Sequence, residues 1–442
     1  MNLNDAPSGY AFEGDYVDPQ SDVGVLREAR GRQVAHLVSA GRSGGADRIV
    51  SVLRDRRQQR PDLPRLDALR GRGGRVALQA DGQVVVASAD HAAVRDRLTE
   101  LGFDAHSRDR FVSLRHGGGR AEVDRAIEAC RRLGVAAWPV MLMTTAAVGK
   151  GLGSPYPAEG LGSFADYAPA PTGTPARVAV IDTGIARDPR PGDGWLDGVP
   201  RDPDDGNVDP LDALPAGPDG FLDLQAGHGT FVAGVVARVA PGADIRVYRG
   251  ADSDGVAPED LVAELMIQAW RDGAQIINVS LAGRTADDEP PQSLAAAVRE
   301  IDAGSGGAVV IVAAAGNDPD SRPYWPAALP GVEAVAALTA GLEPTDWSSR
   351  GDFVRFSTVG EGVRSVYVPG QESPLLESPP DTFPADAWAI WSGTSFAAPQ
   401  ITGAVARICQ EVGVDPRRAV EILDERGQSI PDFGKAMRIL PG

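Results

Sequence analysis

The feature that most constrains this fold is a set of short apolar runs, each ending at a polar residue. Arg177-Val-Ala-Val-Ile-Asp182, Ile276-Ile-Asn-Val-Ser280 and Val309-Val-Ile-Val-Ala-Ala-Ala-Gly-Asn317 are of this kind. From Pro175 onward such runs alternate with helical stretches. Strands buried on both faces and alternating with helices belong to a parallel sheet with helices on both sides, an α/β architecture. In such sheets ligands gather at the carboxyl ends of the strands, so chemistry is sought there.

The part before Pro175 has a different rhythm. The chain has 442 residues, enough for two or three domains at about 100–200 residues each. Residues 1–60 read as an extension, polar and irregular to about 24, then helical, with Val34, Leu37, Ile49, Val50 and Leu53 on a broken apolar face. The arginines among them read as a solvated face. Residues 75–143 alternate strand, helix, strand, helix, strand, which suggests a small α+β sandwich. Residues 144–172, rich in Gly, Pro, Ala and Ser, read as an exposed linker. Residues 173–442 form the α/β part, and no internal repeats are visible.

The net charge is −18, which disfavours nonspecific nucleic-acid binding. It is unevenly spread: residues 1–170 carry a net of +2 and the remainder −20. Such asymmetry can steer one segment onto another, and solubility alone explains it equally well. Two cysteines, Cys130 and Cys409, sit in apolar helical patterns and read as small buried hydrophobes. The first 26 residues lack Lys, Arg and an apolar core. No run reaches the ~18 apolar residues of a membrane helix, so neither a secretion signal nor a membrane partner is expected. The reading is cytoplasmic, with leaderless export open.

Four segments carry candidate chemistry. Asp182 ends a buried strand. His228, in Gly227-His-Gly-Thr-Phe-Val-Ala-Gly234, opens an apolar helix and is the one histidine of five that lies in the acidic part. Ser395, in Trp391-Ser-Gly-Thr-Ser-Phe-Ala-Ala-Pro-Gln400, stands near a helix N-terminus, where free backbone N–H groups favour developing negative charge. Pro399 suits the first turn of that helix. Asn317 follows a glycine at a strand end, where its amide can donate to an oxyanion. Singly, these are equally well a turn aspartate, a core histidine, an N-cap serine and a turn asparagine. Together, in the order Asp, His, Asn, Ser, they form a nucleophile, a base, an orienting acid and an oxyanion donor.

The segments Asp182-Thr183-Gly184, His228-Gly229-Thr230 and Gly393-Thr394-Ser395-Phe396-Ala397-Ala398-Pro399 resemble the three motifs of the subtilase family of serine peptidases over residues 173–440. The resemblance implies a subtilisin-like fold and a serine endopeptidase with Ser395 as nucleophile, His228 as base, Asp182 as orienting acid and Asn317 in the oxyanion hole. It further implies that Ser280, Leu281, Ala282 and Gly283 pair with substrate backbone and form one wall of the pocket for the residue before the scissile bond (P1). Ala314, Ala315 and Gly316 form the other wall, and Thr394, next to the nucleophile, is a further substrate-binding residue. Tyr324 lies at the far end of that pocket, where its bulk would favour small P1 residues. Residues 75–143 are similar in rhythm to the family's prodomain, which implies an intramolecular inhibitor cleaved within 140–172; a permanent regulatory domain is the alternative. No cofactor is required. Calcium is compatible with the Asp-rich stretch 188–223, including Asp202, Asp204, Asp205 and Asp209, but no specific motif supports it, and a solvated acidic loop is the preferred reading. The competing functional reading is a catalytically silent or self-inhibited protein that holds a peptide in the same cleft.

Overall fold

The computed structural model describes residues 45–71, 76–145, 155–167, 173–202, 204, 206–374 and 379–440. Val34, Leu37, Asp205 and parts of the 144–172 segment lie outside the described residues.

The first unit contains α1 (Gly45–Arg57), β1 (Leu66–Arg70), β2 (Val76–Ala87), α2 (Ser88–Glu100), β3 (Asp104–Ser107), β4 (Phe111–Arg115), α3 (Arg120–Arg132) and β5 (Ala137–Thr145). Its strands pair antiparallel, with β2 between β4 and β5. Val84, Val86, Val112 and Leu114 meet Val94 and Leu98 of α2 and Val123, Ala126 and Cys130 of α3 in one small core. The sequence reading missed β1 and β3. All four β3 residues are exposed, so no apolar alternation marked it.

The segment that read as an exposed linker contains β6 (Tyr156–Ala158) and α4 (Phe164–Tyr167). This departs from the expectation. Here β6 is bound antiparallel to a strand near the C-terminus, and Phe164 and Tyr167 pack on Trp195. Aromatic residues, sparse among the glycines, outweigh the composition around them.

The second unit runs β7 (Arg177–Asp182), α5 (His228–Val239), β8 (Asp244–Arg249), β9 (Val256–Pro258), α6 (Glu259–Arg271), β10 (Ile276–Val279), β11 (Leu281–Ala282), α7 (Gln292–Ser305), β12 (Val310–Ala314), β13 (Val332–Leu338) and β14 (Val354–Val359). It continues through β15 (Val363–Val366), β16 (Gly370–Gln371), β17 (Thr382–Phe383), β18 (Trp388–Trp391), α8 (Thr394–Val412), α9 (Pro416–Arg426), β19 (Gln428–Ile430) and β20 (Gly434–Ala436). The main sheet has the order β19-β20-β14-β13-β12-β10-β7-β8. Its pairings are parallel throughout, except for the antiparallel edge pair β19–β20. Separate cores lie on its two faces, one holding α5 and α8, the other α6 and α7. Cys130 is buried and Cys409 half-buried, and both are free. Burial pushes both thiols up, Cys409 to about 12.

The two units interlock. Strand β5 adds antiparallel to both β9 and β11. Helix α1 inserts Arg56 between Asp223 and Asp254, and Arg57 against Asp252. The solvated-face reading of the arginines is therefore wrong for these two: Arg57 is 2% exposed.

Candidate active site

The site is assembled where β7, α5, β12 and α8 meet. Strand β7 delivers Asp182 at its carboxyl end, fully buried. Helix α5 begins at His228 and can approach that strand end because residue 229 is glycine. A Cβ there would lie 2.2 Å from the Gly184 carbonyl oxygen and 3.2 Å from the Asp182 Cβ. The approach brings His228 Nδ1 to 2.6 Å from Asp182 Oδ1. With the carboxylate accepting, Nδ1 carries the proton and Nε2 is the basic nitrogen. The Thr183 N–H donates to the same Oδ1 at 2.8 Å. Trp391 and Phe396 enclose the imidazole, with ring centroids 5.3 and 5.1 Å away.

Ser395 is the second residue of α8 and is fully buried. Pro399 lies inside the helix rather than in its first turn, contrary to the sequence expectation. A proline four residues on has no N–H for the Ser395 carbonyl. The Ser280 hydroxyl supplies the missing donor at 3.0 Å. Ser280 is itself held by the Asn278 amide, and Asn278 by the Thr402 hydroxyl, each at 2.9 Å. The Ser395 hydroxyl donates to the Ser280 carbonyl at 3.1 Å.

Asn317 follows β12. Its Oδ1 accepts from the Thr394 N–H at 3.0 Å and the Thr394 hydroxyl at 2.8 Å. These two bonds fix which end of the amide is oxygen and make the NH2 end the donor. Thr394 thus positions Asn317, and its hydroxyl oxygen also accepts from the Gly316 N–H at 3.2 Å.

Residues 173–420 match the model of the subtilase family, more than half of the chain. The chain belongs to the subtilase family. It is 32% identical over 261 residues to fervidolysin of Fervidobacterium pennivorans, covering 54% of this chain and 35% of that protein. It is 28% identical over 253 residues to subtilisin BL of Lederbergia lenta, covering 54% of this chain and 78% of that one. The match thus spans about a third of fervidolysin's length. Among solved structures, fervidolysin superposes with a TM-score of 0.56 at 21% identity, over 82% of this chain and 60% of that one. The epidermin leader peptide processing serine protease of Staphylococcus aureus gives 0.56 at 15% identity, over 82% and 97%. Both likenesses show the subtilisin-like fold.

In this subtilase the cleft strand already has a partner. Leu281 and Ala282 pair antiparallel with Thr145 and Thr144, and the Thr145 N–H donates to the Gly255 carbonyl at 2.9 Å. Gly283 pairs with Trp325 instead of with an incoming strand. Ala314 ends β12, and Ala315 and Gly316 follow it, with Gly316 against Tyr324. The Tyr324 ring packs on Ala282, and a Cβ on Gly316 would lie 2.5 Å from it. The ring therefore lies between Ala282 and Gly316. Its hydroxyl donates to Asp318 at 2.6 Å, and the Arg284 guanidinium lies 4.2 Å above its centroid. Burial, with Asp318 beside it, pushes the phenol up. Arg284, paired with Asp318 and Asp320, was not singled out from the sequence; one arginine after a glycine carries no local signal.

Asp209 was also read differently, as part of a solvated loop. It is 2% exposed and fully engaged by hydrogen bonds. Among the described residues no group of three or more His, Cys, Asp or Glu is placed to hold a metal ion.

Proposed function

We propose that the chain is a serine endopeptidase that is held closed by its own N-terminal unit. The observation that carries this reading is the buried 2.6 Å contact between His228 Nδ1 and Asp182, beside Ser395 on the facing helix. A serine hydroxyl is a poor nucleophile without a base. His228 Nε2 takes the Ser395 proton as the hydroxyl oxygen attacks the peptide carbonyl, then passes it to the leaving amine. Asp182 holds the tautomer and stabilises the imidazolium. The Asn317 amide and the Ser395 N–H receive the tetrahedral oxyanion, for which one donor is typically worth about 10²–10³-fold in turnover. The substrate binds as an added strand on β11, with Ser280 to Gly283 on one side and Ala314 to Gly316 on the other.

The pairing of β5 with β11 supports inhibition by occupancy, because Thr144 and Thr145 take the place of a substrate strand. Thr145, opposite Leu281, is the last described residue of that pairing. The expected cut is therefore between Ala146 and Ala147, which lie outside the described residues. Incubation of the full chain should yield a new N-terminus at Ala147, and Ser395→Ala should stay whole. A fluorophosphonate should label Ser395 after the cut, and not the Ser395→Ala chain. The full burial of His228 and Ser395 favours a second reading, a silent peptide-binding protein. A wild-type chain that stays intact on incubation, with no labelling even after an added protease has removed its N-terminal unit, would establish that reading instead.

A further inference from the structure

We propose that Asp209, from the acidic insertion, is a positioning residue for His228 that locks the backbone on both sides of the histidine. Three hydrogen bonds carry this. Asp209 Oδ2 accepts from the Gly227 N–H at 2.9 Å and from the Thr183 hydroxyl at 2.7 Å. The Thr183 oxygen in turn accepts from the Gly229 N–H at 3.0 Å. Residues 227 and 229 flank His228, so one carboxylate fixes its two neighbours, one directly and one through a hydroxyl.

The helix itself makes this necessary. The first N–H groups of an α-helix have no partner within it and are commonly met by a side chain at the N-cap. The N-cap of α5 is Gly227, with φ of 75° and no side chain to offer. The Gly229 N–H, which such a side chain would take, goes to the Thr183 hydroxyl; Asp209 takes the N–H of the cap residue itself, from 18 residues upstream, and its negative charge sits at the positive end of the helix. Asp209 is held there in turn. Its N–H donates to the Ile185 carbonyl at 2.9 Å, and its Oδ1 accepts from the Leu211 N–H at 3.1 Å. Glycine at 184 permits the approach, since a Cβ there would lie 2.7 Å from the Asp209 nitrogen.

Thr183 joins the two carboxylates, its N–H on Asp182 and its hydroxyl on Asp209. The Asp182 carboxylate and the Tyr367 phenol act on Asp209, and His228 lies between the two residues whose N–H groups it fixes. Burial, with Asp182 adding, pushes Asp209 up to about 6, so it is charged at neutral pH and loses that charge under mild acid.

The inference rests on His228 acting as the base, and the test separates the two. Asp209→Asn has nearly the same shape, but one arm is a donor where only donors face it. With active sites titrated by fluorophosphonate, kcat on a peptide substrate should fall at least 10-fold with KM within twofold. The acid limb of the pH profile should move to lower pH, because the imidazolium loses a neighbouring negative charge. A residue that merely stabilises the fold would lower the titre and the melting temperature and leave the limb in place, which would overturn the proposal. The His228 ring, followed by NMR with carbon-labelled histidine, gives an activity-free readout. Its titration should move to lower pH in Asp209→Asn even in a Ser395→Ala background, and an unmoved titration overturns the proposal. Wild-type protein that is never labelled overturns the peptidase reading and leaves the NMR result to decide the role of Asp209.

Discussion

At the scale of single residues, the P1 preference that the proposed function implies turns on Tyr324. Its ring occupies the space between Ala282 and Gly316, and it is pinned by Asp318 and Arg284. A large P1 side chain has nowhere to go while the ring stays. Tyr324→Ala should raise kcat/KM for a phenylalanine P1 peptide relative to an alanine one by at least about 10-fold, in line with the 1–3 kcal/mol that a methylene-sized difference is worth in an apolar pocket. The variant should also lose about 3–5 kcal/mol of stability as a large-to-small core change. A wild-type enzyme that already prefers phenylalanine would sink this account. The contact of Asp182 with His228 was legible in the sequence, because the proposed chemistry demands particular residue types at strand ends and helix starts. Asp209 was not. A buried carboxylate in an Asp-rich loop is spelled like a solvated one, and only the N–H groups around it tell the two apart.

At the scale of elements, the proposed inhibition rests on helix α1 and the strand pair β5–β11. The Arg56 guanidinium spans Asp254 at 2.9 Å and Asp223 at 2.5 Å, with side-chain exposures of 12%, 0% and 1%. Removing one partner of a buried pair leaves the other charge uncompensated, at about 3–5 kcal/mol. The Arg56→Ala plus Arg57→Ala chain should therefore hold its N-terminal unit more weakly after the cut. In trans, residues 45–146 carrying both substitutions should inhibit the processed enzyme at least 10-fold less well than the unaltered segment. Equal inhibition would assign the holding to β5 alone. The strand–helix alternation of residues 76–143 was readable from apolar spacing. Arg56 and Arg57 were not, because a helix whose mate is far along the chain shows the same arginines as a helix facing water.

At the scale of the whole molecule, the uneven charge of the sequence, +2 up to residue 170 and −20 after it, reappears in the pairs of Arg56 with Asp223, Arg57 with Asp252, Arg108 with Asp260 and Arg110 with Glu300, where the first unit supplies the cation; Arg271 with Asp109 runs the other way. Asp223 shows what this arrangement does with pH. Burial first, then the neighbouring Asp254, pushes it from an ordinary 3.8 up to about 7, with Ser253, Ala213 and Arg56 opposing. Between those two values the folded protein holds the proton more tightly than the unfolded chain does. The stabilisation that this carboxyl lends is therefore complete below about 3.8 and lost as the pH rises through about 7. The comparison is best made in a Ser395→Ala background, so that the chain stays whole. There, the melting temperature of the parent minus that of Asp223→Asn should shrink between pH 5 and pH 8, by roughly 2–4 °C for each kcal/mol lost. The lost pairing with Arg56 adds a nearly constant offset and does not alter the sign of the slope. A difference that stays flat, or widens toward pH 8, would mean that Arg56 outweighs burial and that Asp223 is charged throughout.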